Sequence, residues 1–113
     1  MSKVEAKYQR ELISRIKELM PKAIVMKTNP NYIQGIPDLL ILYPGGWASL
    51  EVKRSALAPR QPNQDHYVKL LHEMSYAAFV YPENEKEVLH EIQYAYRACG
   101  NARLPESEQV SLA

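Results

Sequence analysis

Three consecutive segments leave this chain little freedom in how it folds: Asp38-Leu39-Leu40-Ile41-Leu42-Tyr43, then Pro44-Gly45-Gly46, then Trp47-Ala48-Ser49-Leu50-Glu51-Val52-Lys53. A short aliphatic run bounded by Pro and Gly has the signature of a buried strand. Glycine supplies the positive φ of a tight reversal, so the middle segment reads as a turn and the third as a strand folded back on the first. Side chains alternate across a strand, which puts Glu51 and Lys53 on one face and Leu50 and Val52 on the other. The same hairpin carries Asp38, at the start of its strand, towards Glu51, near the finish of its own, although thirteen positions separate them.

Periodicity places the other elements around this hairpin. Val4, Tyr8, Leu12, Ile16 and Leu19 recur at helical spacing over residues 4–20, and Pro21 ends that run. Ala23-Ile24-Val25-Met26-Lys27 is a short β-type segment, and Thr28 to Gly35 is a turn-rich loop. A loop with Pro59 and Pro62 follows the hairpin. Gln64 to Met74 reads as a second amphipathic helix, with Tyr67, Leu70, Leu71 and Met74 apolar. Tyr76 to Tyr81 reads as a fourth strand, and Glu83 to Ala98 as a last helix packed through Val88, Leu89, Ile92 and Ala95. The expected order is α-β-β-β-α-β-α. A helical crossover between the third and fourth strands implies that they are parallel, whereas the hairpin is antiparallel, giving a mixed sheet flanked by helices in an α/β fold. Residues 1–99 form one expected domain, with 100–113 a flexible tail.

Composition narrows the class of protein. At 113 residues one core is affordable and little more. No apolar run approaches the ~20 residues of a membrane span, and Met-Ser-Lys-Val-Glu is not a signal-peptide pattern. The lone cysteine, Cys99, fits a reducing cytoplasm. A net charge of +1 does not announce a nucleic-acid binder, yet no acid lies between Glu51 and Asp65 while Lys53, Arg54 and Arg60 do. Glu83, Glu85, Glu87 and Glu91 cluster elsewhere, so a neutral total can hide a basic and an acidic face. There is no Gly-rich phosphate loop and no Cys/His zinc motif, and His66, His72 and His90 lack metal-ligand spacing.

Two carboxylates from neighbouring strands make a hard-oxygen site suited to Mg²⁺ or Mn²⁺, which is held by one or two acids and keeps several waters. Such an ion polarises a phosphate and acidifies a water; a lysine two residues beyond the second acid can orient that water or offset developing charge. The plainer alternative is a solvent-facing Glu51–Lys53 pair on a half-covered sheet. Helix 1 carries acids as well, Glu5 and Glu11 among them. At about 100° per residue, Glu5 falls within roughly 20° of Leu12 and Ile16, whereas Glu11 lies on the flank. An acid in a buried stripe needs a partner or a metal, which sets Glu5 apart from Glu11; its alternative role is that of a first-turn acid favouring the helix dipole. Tyr32, in the 28–35 loop, is the tyrosine placed to stack on an unpaired base.

Pro37-Asp38 with Glu51-Val52-Lys53, in that element order, resembles the PD-(D/E)xK nuclease superfamily, whose fold is restriction-endonuclease-like. More narrowly the chain resembles the small VRR-NUC domains of phages and bacteria, related to archaeal-type Holliday junction resolvases. Gly35-Ile36-Pro37-Asp38-Leu39 is like the family's G-x-PDL motif, Glu51-Val52-Lys53-Arg54 like its E-x-K with a polar loop behind, and Gln64 stands where such domains carry a glutamine. In Gln9-Arg10-Glu11-Leu12 the chain departs from the resolvases, having Gln where their acid would stand. The resemblance covers about residues 3–92. It implies Asp38, Glu51, the Val52 carbonyl and Glu5 as metal ligands for Mg²⁺ or Mn²⁺. It further implies Lys53 as the catalytic lysine, Gln64 as a residue orienting water or phosphate, and Lys27, Arg54 and Arg60 as DNA-phosphate contacts. The implied activity is metal-dependent endonucleolytic hydrolysis of DNA, favouring branched or flapped substrates such as a Holliday junction. Symmetric cutting of two strands needs two sites and hence a homodimer. The expected setting is a bacterial or phage-infected cytoplasm. The alternatives are a non-catalytic DNA-binding or phage–host interaction module that keeps the fold, and a nuclease subunit that needs a helicase or other partner.

Overall fold

The computed structural model describes residues 1–101. Its elements run α1 (Lys3–Leu19), β1 (Ile24–Lys27), β2 (Leu39–Tyr43), β3 (Gly46–Val52), α2 (Gln64–Met74), β4 (Tyr76–Val80) and α3 (Glu85–Asn101). The fold is α/β in the expected order. α3 continues to Asn101, into the stretch expected to be tail; residues beyond it, and the Cys99 side chain, lie outside what is described.

One four-stranded sheet has the order β1-β2-β3-β4. β1 and β2 are antiparallel, as are β2 and β3, whereas β3 and β4 are parallel across the α2 crossover. The hairpin closes at the Tyr43–Gly46 pair. Its turn is therefore Pro44-Gly45, with the positive φ (89°) supplied by Gly45.

α1 and α3 cover one face of the sheet. Tyr8, Leu12, Ile16 and Met20 meet Val88, Leu89 and Ile92 over Leu39, Ile41, Ala48, Leu50, Val52 and Val80. Ser2 caps α1, accepting the Glu5 amide at 3.1 Å. Glu85 clamps the two helices together: it accepts Tyr8 Oη at 2.8 Å and both Arg15 Nε and Nη2 at 2.7 Å. Burial works to raise the Glu85 pKa, but the Arg15 and Tyr8 hydrogen bonds prevail and hold it below the ordinary value. α2 packs on the opposite face over β4 and β3.

Three apolar positions differ from expectation. Val4, Leu19 and Met74 are exposed, because each lies at or near an end of its helix, whereas Met20, just past α1, is fully buried. Tyr8 and Tyr43 are buried, but Tyr32 and Tyr94 are exposed.

Candidate active site

β3 is covered on both faces, so Glu51 is as dry as its apolar neighbours, at 3% exposed, and Lys53, the first residue past the strand, is 6% exposed. Neither is the solvent-facing residue of a half-covered sheet. The register explains why Asp38 and Glu51 adjoin. Leu39 pairs with Leu50, so one further step places Asp38 opposite Glu51. Directly opposed antiparallel residues share a face with Cβ atoms about 4.5–5.5 Å apart. Asp38 is pinned by its backbone and its side chain alike. Its carbonyl accepts Thr28 N at 2.9 Å, and its Oδ2 accepts Val52 N at 3.0 Å. Thr28 Oγ1 donates to the Pro37 carbonyl at 2.6 Å, fixing the preceding residue too.

Glu51 Oε1 is buried without a hydrogen-bond partner. Desolvation, then the charge of Asp38 and a hydrogen bond with it, push the Glu51 pKa from 4.5 up to about 9; Lys53 pulls the other way and Glu5 adds to the rise. Lys53 Nζ donates to the Pro59 carbonyl at 3.0 Å, so the following loop aims it.

These groups open onto a cavity of about 470 Å³. Glu5, Lys27, Asp38, Glu51, Lys53, Arg54 and Gln64, drawn from five parts of the chain, all line it. The helical phase of α1 resolves the two candidate acids. Glu5 reaches the cavity and its Oε1 accepts Arg54 N at 3.2 Å, whereas Glu11 lies on the surface, 4.0 Å from Lys7. Gln64 is half-buried, its Oε1 accepting Gln61 N at 2.8 Å. Three expected residues stand outside the cavity lining: Tyr32, which is exposed on its loop, Arg60 and Val52. Arg60 packs its guanidinium 3.8 Å from the Phe79 ring centroid and pairs with Asp65 in the first turn of α2. Val52 is fully buried, and the role seen for it is to donate its amide to Asp38.

Sequence reasoning did not single out Gln9 as a site residue, yet it is buried in the cavity wall. The signal was available, because Gln9 lies one turn beyond Glu5 on the same helical face. The Pro59 carbonyl had no such signal, since nothing in a proline's identity says which lysine its oxygen will meet.

The donor set fits a hard divalent cation. Two opposed carboxylates, one with an orphaned buried oxygen, form a pocket of concentrated negative potential that such an ion relieves. Glu5 does not complete a cage with them: among the described residues no three His, Cys, Asp or Glu side chains are grouped to hold one ion. Comparison with protein-family models, curated proteins and solved structures finds no match to this chain. Among the described residues no helix is long and apolar enough to cross a membrane.

Proposed function

We propose that this protein is a metal-dependent endodeoxyribonuclease of the PD-(D/E)xK superfamily, with a restriction-endonuclease-like fold, that hydrolyses DNA phosphodiesters in the cytoplasm of a bacterial or phage-infected cell. The observation that carries the reading is the convergence of Asp38, Glu51 and Lys53 in one cavity with Glu5, Gln64, Lys27 and Arg54 on its walls. Asp38 and Glu51 would hold Mg²⁺ or Mn²⁺, which when bound supplies charge neutralisation at the phosphoryl oxygens and a more acidic water. Lys53, held by the Pro59 carbonyl, places a cation where negative charge develops on the scissile phosphate. Gln64 orients the attacking water or the phosphate, while Lys27 and the exposed Arg54 grip the flanking backbone without reading sequence. So small a domain offers little surface for discriminating sequence, which favours selection by DNA structure, with branched or flapped DNA as substrate and a homodimer as the working unit.

The test is cleavage of four-way junctions, flaps and linear duplex with Mg²⁺ or Mn²⁺. Wild type should cut at least one of them, and Lys53→Ala should cut it about 10²–10³-fold more slowly. An absence of cleavage with either ion would remove the enzymatic reading. One observation favours a second reading, that of a non-catalytic DNA-binding module: the Glu5 carboxylate is engaged by Arg54 N rather than grouped with the acid pair. Calorimetric titration with Mn²⁺ separates the two. The nuclease binds Mn²⁺ and loses it on Asp38→Asn; the module binds none.

A further inference from the structure

Two loops contribute to the cavity wall. Thr28 and Pro30 of the 28–37 loop line it, as do Arg54, Pro59 and Gln61 of the 53–63 loop. Each loop also carries a large apolar side chain almost wholly in solvent: Tyr32 is 85% exposed and Leu57 95%, more than any other large hydrophobic among the described residues. Single exposed apolar residues are common and need no explanation. This pair differs because its backbone is held and because both loops line one cavity, Tyr32 two residues from Pro30 and Leu57 two residues from Pro59.

The first loop is knitted by Asn29, which accepts Tyr32 N through its carbonyl at 3.1 Å and Asn31 N through its side chain at 2.9 Å; Ile36 N closes on Ile33 O. The second is held on both sides of Leu57, by Ala56 N to Glu83 Oε2 at 3.0 Å and by Ala58 N to Ser55 O. At their bases the loops touch. A Cβ on Gly35 would lie 2.6 Å from Asn63 Cβ and 3.0 Å from Pro62 O, so only glycine permits this approach, and Gly35 itself has φ +91°. Two internally hydrogen-bonded loops, in close contact at Gly35 and Asn63, each carry an exposed apolar side chain within two residues of a position that lines a cavity with cations on its wall.

We propose that Tyr32 and Leu57 are the specificity-determining contacts of this site: apolar wedges that engage nucleobases which a branch point leaves unstacked, while Lys27 and Arg54 hold the phosphates. The proposal rests on the nuclease reading for the identity of the ligand and goes beyond it in naming what is recognised. An aromatic face accepts any base, and an aliphatic wedge inserts where a stack is already broken, so the pair selects structure over sequence. Fully paired linear duplex offers neither an open face nor a gap.

The experiment uses the full chain carrying Lys53→Ala in a chelating buffer, so that cutting does not interfere, and a four-way junction with 2-aminopurine at the branch point. Binding should raise 2-aminopurine fluorescence, and the same probe base within linear duplex should stay dark. Tyr32→Ala and Leu57→Ala should each weaken junction binding roughly 5- to 150-fold and abolish the rise. Tyr32→Phe and Leu57→Met should restore both, and Tyr94→Ala, an exposed aromatic on α3, which contributes nothing to the cavity wall, should change neither. Thermal melting confirms that each variant is folded. A junction bound without any fluorescence change, or bound equally by the alanine variants, overturns the wedge. A chain that opens the junction through Tyr32 but never cuts it as wild type retains the wedge and loses the nuclease reading. Failure to bind DNA at all overturns both.

Discussion

Glu51 is subject to two pressures of the same sign. Coverage of β3 on both faces removes its water, and the register sets Asp38 against it. Its pKa therefore rises from 4.5 to about 9 despite Lys53. A carboxyl with a raised folded pKa binds more protons folded than unfolded. Stability is then full below about 4.5, falls as pH rises through that value, and goes on falling to about 9. Glu51→Gln keeps the shape and removes the titration. In a chelating buffer near pH 8 we expect it to melt several degrees above wild type, with the pH slope across that window flattened. Thermal melts at a series of pH values decide the matter. A Gln variant less stable than wild type at that pH would mean that the carboxylate is compensated by a group other than Lys53.

Elements meet through few polar contacts, and the Glu85 clamp is the chief one between α1 and α3. Glu85→Ala strands Tyr8 Oη, which is buried against the helix pair, and frees Arg15. We expect a loss of about 1–3 kcal/mol, read as a lower urea midpoint at unchanged m-value. Because the Glu85 pKa is lowered, its contribution is present above the ordinary carboxyl range and disappears as pH falls through the folded value, the opposite sense to Glu51. At this scale the sequence was most readable where the signal was local. The bounds of α2 follow from its periodicity, the hairpin from its turn, and the meeting of Asp38 with Glu51 from alternation on both strands. The exposure of Val4 and Leu19 was not readable, because helical phase defines a stripe without saying how far the sheet beneath it extends. Nor was the engagement of Arg60: a basic run looks free until the chain turns and brings Asp65 and Phe79 against it.

For the whole molecule, the proposed metal site predicts a stability that depends on divalent ions. Anything that binds only the folded state stabilises it by RT ln(1 + [L]/Kd), about 2.7 kcal/mol at a hundredfold excess over Kd. For a domain of this size that is a rise in melting temperature on the order of 10 °C. Calorimetry with increasing MgCl₂ or MnCl₂ should show the rise in wild type and not in Asp38→Asn. A wild-type melting temperature indifferent to both ions would leave the pair as a purely structural device.

β3 belongs to ladders of two kinds, and this has a consequence in time. Its partnership with β2 needs only the closing of a two-residue turn, an event of microseconds in isolated hairpins. Its partnership with β4 waits on the α2 crossover, and distant parallel pairings are slow to form. Asp38 and Glu51 can thus come together early, while water still surrounds them and their repulsion is weak. The docking of α2 and β4 then dries the pair. On that order of events the chain would meet its electrostatic conflict late in assembly, and Glu51→Gln would slow unfolding more than it speeds folding.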